Sequence, residues 1–157
     1  MATFHRHVLS EKNAQATVEL LQKDLVNLVD LALQLKQAHW NVVGANFRSI
    51  HLQLDEIIDS VRLGSDEIAE RVVQLGHAPD GRAATVANAS ALKAYPSEFV
   101  KVTDTVTAVA DRLAPAIEGL RASIEKLGDL DPISEDMLIG LSATLEKHLW
   151  MVQSQEL

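Results

Sequence analysis

The sequence contains no cysteine, few aromatic residues and no long apolar run. Without cysteine, disulfides and thiolate metal sites are excluded, so a metal could be bound only by His, Asp and Glu, which suits Fe, Mn or Zn. Only 4% of the 157 residues are aromatic, and the apolar 47% is mostly aliphatic, which favours packed helices over a β-sandwich. No apolar run approaches ~20 residues, so no membrane-spanning helix is predicted.

The charge balance is strongly acidic, with 14 basic against 22 acidic residues and a formal net charge of −8. A nucleic-acid-binding domain is typically basic, so this composition argues against that class. Residues 1–10 contain no apolar segment typical of a signal peptide. We therefore expect one domain over residues 1–157, located in the cytoplasm.

Apolar residues recur at steps of three and four in four stretches, which is typical of helices with one buried face. Asn46 and Asp131 are predicted to cap the second and fourth helices, and Pro132 suits a first helical turn. Pro115 is predicted to kink the third helix on its solvent side, and Gly128 to end it. After a tail at residues 1–10, the predicted helices span about 11–40, 46–75, 97–127 and 131–154.

The stretch from Gly76 to Pro96 is unusually long for a loop in a compact domain. We predict a short helix within it, around residues 89–94. A connection of this length can travel the full height of a bundle, which would make the third helix parallel to the second. The predicted fold is therefore all-α, a four-helix bundle with one long crossover that contains a short helix.

Two pairs of potential metal ligands lie on the second helix. His51 and Asp55 are four residues apart, as are Asp66 and Glu70, so each pair shares a helix face. Eleven residues separate Asp55 from Asp66, which amounts to three turns and about 20°, so both pairs lie on one stripe. Along the helix axis they are about 16 Å apart. No single ion can contact both pairs within one chain.

A second copy of the chain resolves this separation. Two such helices can lie antiparallel about a two-fold axis in the register in which residue i faces residue 121 − i of the other copy. His51 then faces Glu70 of the other copy, and Asp55 faces its Asp66. Two equivalent sites then form, each with ligands from both subunits. The same register places Asp59 opposite Arg62, and Ser60 and Gly64 are small enough to let the helices approach.

His39 is a third ligand candidate, because it extends the apolar stripe of the first helix and is predicted to point inward. The short turn at residues 41–45 brings the second helix back beside it. The resulting set of two histidines and three carboxylates suits Fe(II), with Mn(II) and Zn(II) as competitors.

The same residues resemble the signature of the Dps family, the DNA-binding proteins from starved cells. The similarity covers nearly the whole chain, including Lys147, Leu149 and Trp150 in the last helix. Its most specific parts are two segments around the ligand candidates, made up of His39, Trp40, Asn41, Gly44, Ala45, Asn46, Phe47, His51 and Asp55, and of Asp66, Ala69, Glu70, Arg71, Gln74, Leu75 and Gly76.

The resemblance implies a ferritin-like bundle that assembles into a hollow dodecamer with an iron-oxidising site at its two-fold interfaces. It implies that the ligands are His39, His51, Asp55, Asp66 and Glu70, with Trp40 beside the site. It also implies oxidation of Fe(II), preferably by hydrogen peroxide, storage of the ferric mineral, and protection of the cell from oxidative damage. The acidic start of the fourth helix resembles the part of the family's fold that lines the iron-entry pores. The acids concerned are Asp131, Glu135 and Asp136.

Direct DNA binding is less well supported by the sequence. Family members that bind DNA often use a lysine-rich tail, whereas the first twelve residues here contain only Arg6, Lys12, His5 and His7, and the last three are Gln155, Glu156 and Leu157. Phosphate contacts dominate DNA affinity, and this chain offers few. The alternative function is nevertheless a DNA-binding, nucleoid-compacting stress protein with iron binding secondary. An intrachain di-iron oxidase normally uses Glu-x-x-His, which is absent from the sequence.

Each candidate also has a purely structural interpretation. His39 could be a hydrogen-bonded core histidine, and the two ligand pairs could be ordinary exposed i, i+4 pairs. Trp40 and Trp150 could pack in a core or an interface, and acids at a helix start are favoured by its dipole. His5 and His7 form an HxH pattern in the tail that could bind metal weakly, while His77 and His148 have no evident partner.

Overall fold

The computed structural model describes residues 4–157, so the first three residues of the expected tail lie outside the described residues. None of the helices in this part of the chain is both long and apolar enough to cross a membrane. The elements are helices α1 Glu11–Asn41, α2 Phe47–Gln74, α3 Ala83–Ala89, α4 Val102–Leu127 and α5 Pro132–Gln153, with two-residue strands β1 Val42–Val43 and β2 Val100–Lys101.

The four long helices form the bundle that the periodicity predicts. The most extensive packing joins α1 to α2 and α4 to α5, and α1 also packs on α4. The predicted stripes face inward, because apolar area removed from water is the main favourable contribution to folding. The largest fully buried side chains come from all four long helices, and they include Leu21, Leu28, Leu35, Leu54, Ile57, Ile68, Leu113, Leu120 and Leu138.

The crossover brings the start of α4 to the start of α2. Val42 pairs with Val100 in a parallel two-stranded ladder, so the strands that precede α2 and α4 meet at one end of the bundle. Both helices therefore run in the same direction, as predicted. The predicted start of α4 near residue 97 was wrong, because residues 100–101 are held in this ladder and the helix begins only at Val102.

The predicted position of the short helix was also wrong, since it spans Ala83–Ala89 rather than residues 89–94. Side chains of α1 hold the chain that follows it. Asn27 Oδ1 accepts from the Ala91 backbone N–H, and the Ser90 hydroxyl donates to Asp30. These bonds hold residues 90–91 against α1, with Ser90 in an extended conformation, so the helix ends at Ala89 and does not continue through the predicted segment.

The helix ends differ in part from the expected caps. Asn46 precedes α2 as predicted, but it adopts a left-handed conformation with φ of 60° and its side chain makes no cap hydrogen bond. Asp131 precedes α5 and likewise makes no side-chain cap bond. Gly128 follows α4 with an ordinary φ of −52°, so it does not end the helix through a left-handed turn. Pro115 is exposed within α4, on the solvent side as expected.

The small residues of α2 face α5. A Cβ atom on Gly64 would overlap the side chain of Leu141, and Ser60 Oγ lies 2.9 Å from His148 Nε2. The expectation that Ser60 and Gly64 admit a second copy of α2 was therefore wrong. Their small size instead lets α2 and α5 approach within one chain, because close-packed interiors leave no room for an added methyl group.

Asp24 is a buried acid between α1 and α4. Its side chain is 2% exposed, and one carboxylate oxygen has no hydrogen-bond partner in the described chain. Burial raises the pKa of Asp24 to about 6, although a hydrogen bond with Ser123 and the nearby Lys23 oppose the shift. The folded protein therefore holds a proton on Asp24 over a pH range in which the unfolded chain releases it.

We expect Asp24→Asn to stabilise the protein at pH 8. A pKa raised from 3.8 to about 6 costs the folded state ~3 kcal/mol once both forms are ionised. The increase in the free energy of unfolding that Asn gives over Asp should be absent below pH 3.8. It should grow as the pH rises to about 6 and stay constant above that. Thermal unfolding at a series of pH values measures it, with Asp111→Asn on the exposed face of α4 as the control. A gain that does not change with pH would contradict the assignment.

Candidate metal centre

Three of the five predicted ligands meet where α1 ends and α2 begins. His39 lies in the last turn of α1, and His51 and Asp55 lie in successive turns near the start of α2. The turn at residues 44–46, with a positive φ at Gly44 and at Asn46, folds α2 back along α1. One potential ligand atom from each of His39, His51 and Asp55 lies within 4.8 Å of the others.

The two histidines hold each other in place. Nδ1 of His39 donates to the His51 carbonyl and Nδ1 of His51 donates to the His39 carbonyl, each at 2.9 Å. The rings stack with centroids 3.7 Å apart. Because a carbonyl can only accept, these bonds occupy the Nδ1 atoms as donors and leave the two Nε2 atoms as the ring nitrogens available to ligate a metal ion. The residues present therefore fit an N,O-ligated divalent ion.

Asp55 supplies the negative charge of this cluster. Its Oδ1 lies 2.7 Å from Lys36 Nζ and 3.3 Å from His39 Nδ1. The hydrogen bond from Lys36 and the positive charge nearby lower the pKa of Asp55 and outweigh the opposing effect of burial. The carboxylate is thus ionised at neutral pH, as a metal ligand must be.

Asp66 and Glu70 lie elsewhere on the chain. Both are exposed on α2, beyond the cluster by about three helical turns, and the three-residue cluster does not include them. Asp59 and Arg62, which the two-fold register would place opposite each other, are also exposed. The chain therefore brings together three of the predicted ligands and presents the other two on its surface.

The acids at the start of α5 divide into different environments. Asp131 is 2% exposed and pairs with Arg71 of α2 at 2.7 Å. The prediction that Asp131 lines a pore is not supported, because its carboxylate is buried in the contact between α2 and α5 and not exposed to solvent. The carboxylate of Glu135 lies over Gly128, whereas Asp136 is exposed beside the groove between α2 and α5.

The remaining aromatic and histidine candidates are placed as follows. Trp40 and Trp150 are mostly exposed, at 65% and 63%, so neither fills the core of one chain. His148 is 8% exposed against Ser60, and burial lowers its pKa. His5 and His7 are exposed, and the ring of His7 lies near Gly76, next to half-buried His77.

Lys36 is the site residue that the sequence reasoning missed. It lies one turn before His39 on α1, a position from which its side chain reaches the same place. A charged residue so close to the inward-facing His39 was the available signal. Lys36 is not one of the apolar positions from which the helical periodicity is recognised.

Comparison with known proteins identifies the family of the chain. A ferritin-like domain model matches residues 18–155. A DNA protection during starvation protein of Mycolicibacterium smegmatis is 40% identical over 154 residues, which cover 98% of this chain and 84% of the relative.

Two solved structures share the fold closely. The tetragonal form of Mycobacterium smegmatis Dps superposes with a TM-score of 0.93 at 39% identity, covering 99% of this chain and 94% of the other. Dps from Microbacterium arborescens in a high iron form gives a TM-score of 0.90 at 30% identity, covering 96% and 98%. With the fold, the histidine cluster and these similarities together, the chain belongs to the Dps family of ferritin-like proteins.

Proposed function

We propose that this protein oxidises Fe(II), preferably with hydrogen peroxide, and stores the ferric product as a mineral inside a hollow dodecamer. The observation that carries the proposal is the cluster of His39, His51 and Asp55, which has free Nε2 atoms and an ionised carboxylate. Family membership supports the broader role in iron storage and protection.

The second half of the site would come from a two-fold partner. Asp66 and Glu70 are exposed on the same α2 stripe as His51 and Asp55 but about 16 Å away along the axis. In an antiparallel pair of α2 helices, Glu70 of the partner subunit faces His51 and Asp66 of the partner subunit faces Asp55. Each dimer then contains two sites, each with nitrogen and oxygen ligands from both chains.

This ligand set suits the oxidation of Fe(II). Neutral imidazoles and carboxylates bind Fe(II), and carboxylate oxygens favour the more highly charged Fe(III) that forms. Two ferrous ions give one electron each to one hydrogen peroxide, whose O–O bond breaks to leave two hydroxide ions. In this proposal Zn(II) and Mn(II) compete for the ligands but do not take part in the same electron transfer.

Storage requires a closed shell and a route for the ion. The exposed acid Asp136, together with Glu135, could attract cations toward such a route if the copies of α5 surround a pore. The Microbacterium arborescens relative is described in a high iron form, which supports iron as the metal. A protective role of this kind would be carried out in the cytoplasm.

Soaking crystals in Fe(II) without oxygen tests the site directly. We expect iron anomalous density beside His39, His51 and Asp55 of one subunit and within ligand distance of the partner's Asp66 and Glu70. A crystal of the His51→Ala variant, soaked in the same way, is the control and should lose this density. Density at the three-residue cluster with no partner carboxylate nearby would contradict a shared site.

DNA binding is the second candidate, because relatives carry the name DNA protection during starvation protein. We expect protection to come from removal of iron and peroxide, since a net charge of −8 repels phosphates. A gel-shift assay at low salt between pH 6 and 8 should therefore show no retardation of duplex DNA. Retardation that disappears as salt is raised would instead favour the DNA-binding function.

A further inference from the structure

Lys36 makes the closest charged contact to the proposed metal centre. Its ammonium lies 2.7 Å from Asp55 Oδ1, the atom that also lies 3.3 Å from His39 Nδ1. The contact joins α1 to α2 across 19 residues of sequence. The cluster therefore already contains a bound cation, which is part of the chain itself.

The charges around the cluster show what this contact does. The Asp55 carboxylate and the Lys36 ammonium carry opposite charges that cancel, so this pair offers no net charge to an incoming ion. A divalent ion at the same carboxylate would lie a few ångströms from the ammonium, and like charges at that distance repel strongly in a partly buried place. The ion and the ammonium are thus alternatives at this oxygen.

The Lys36 ammonium can leave the Asp55 carboxylate and become solvated by water. It is 25% exposed, which gives the ammonium a short path to water. A lysine is suited to such a role because its charge is compact, strongly hydrated and carried on a flexible stem. Once displaced, the ammonium can be solvated while the stem still covers the surface of α1.

We propose that Lys36 is an internal counter-ion that occupies the Asp55 carboxylate before a metal ion arrives and is displaced when the ion binds. It stabilises the apo site and lowers its affinity, which sets a threshold for divalent cations. The inference rests on the proposed metal site and adds to it a residue that controls how tightly the site binds.

Co(II) titration of the apo protein, followed by calorimetry and by visible absorption, tests this without relying on oxidation. Lys36→Met should tighten the dissociation constant by about tenfold or more, because it removes the repelling charge and keeps the stem. Lys36→Arg, which keeps the charge, should bind like the wild type. Lys12→Met is the matched control, since Lys12 is exposed on the same helix about 36 Å away.

The outcomes separate this inference from the proposed function. If no variant binds Co(II), or if His51→Ala does not abolish binding, the metal site itself is wrong. If the wild type binds at a site that His51→Ala abolishes but Lys36→Met binds equally or more weakly, the site stands and the counter-ion role of Lys36 is overturned.

A labelling experiment reads the displacement itself. Acetylation of lysines by a limiting amine-reactive reagent, measured by mass spectrometry, should be slow at Lys36 in the apo protein. Saturating Zn(II) should speed modification of Lys36 and leave Lys12 unchanged. Slower or unchanged modification of Lys36 with Zn(II) would show that the ion pair persists and would overturn the proposal.

Discussion

Assemblies mixed from His51→Ala and Glu70→Ala chains are expected to oxidise Fe(II) faster than either variant alone. In a shared site, His51 of one chain works with Glu70 of the partner subunit. A dimer with one chain of each kind then contains one site that lacks both residues and one site that is intact. Random mixing should restore about one quarter of the wild-type sites.

The single variants set the baseline for this experiment. Loss of a ligand should slow peroxide-driven Fe(II) oxidation by at least about tenfold, because even residues that only orient metal ligands contribute that much. Both side chains are at least partly exposed, so the bundle should stay folded. Circular dichroism and sedimentation check the fold and the assembly, and Glu118→Ala on the exposed face of α4 is the control.

Co-expression with two different tags gives assemblies that contain both chains, and initial rates are compared at equal protein. A rate no higher than that of the single variants in well-mixed assemblies would show that both ligands belong to one chain. Since His51 and Glu70 are about five turns apart on α2, such a result would also require a different set of ligands.

Arg71→Met is expected to lower the free energy of unfolding more than any other substitution proposed for this protein. Arg71 Nη2 contacts Asp131 at 2.7 Å, where the two side chains are only 11% and 3% exposed. Burial alone would raise the pKa of Asp131, but hydrogen bonds from Ser134 and Arg71 outweigh it and lower that pKa. Removing Arg71 leaves a buried carboxylate with too few partners, which costs about 3–5 kcal/mol.

Denaturant unfolding at fixed protein concentration measures this loss, because assembly makes stability depend on concentration. Arg121→Met is the matched control, since the Arg121–Glu146 pair is more exposed, at 63% and 37%, and should contribute at most about 1 kcal/mol. The double variant Arg71→Met, Asp131→Asn should recover part of the loss. Equal effects of Arg71→Met and Arg121→Met would contradict the role of the buried pair.

Local sequence signals were sufficient for most of the fold. The ends of α1, α2 and α5 were predicted to within two residues, because their apolar stripes are long and punctuated by Gly44, Gly76 and Pro132. The start of α4 and the position of α3 were not, because contacts distant in sequence decide them. The ladder between residues 42 and 100 delays α4, and Asn27 and Asp30 of α1 end α3 early.

The metal centre was likewise predicted in part from local sequence and in part only seen in the tertiary structure. Spacing along one helix was enough to pair His51 with Asp55 and Asp66 with Glu70, because 3.6 residues per turn place each pair on one face whatever surrounds the helix. The same geometry required a second chain for a complete site.

Only the tertiary structure decided how the centre is tuned. The stacking of His39 on His51 depends on the turn that reverses the chain between α1 and α2. The same turn allows the reciprocal Nδ1–carbonyl hydrogen bonds that leave both Nε2 atoms available to a metal ion. The contact of Lys36 with Asp55, the burial of Asp131 against Arg71 and the packing of Gly64 on Leu141 each join residues far apart in sequence. Periodicity specifies which face of a helix is buried, but packing between helices determines which side chains meet there.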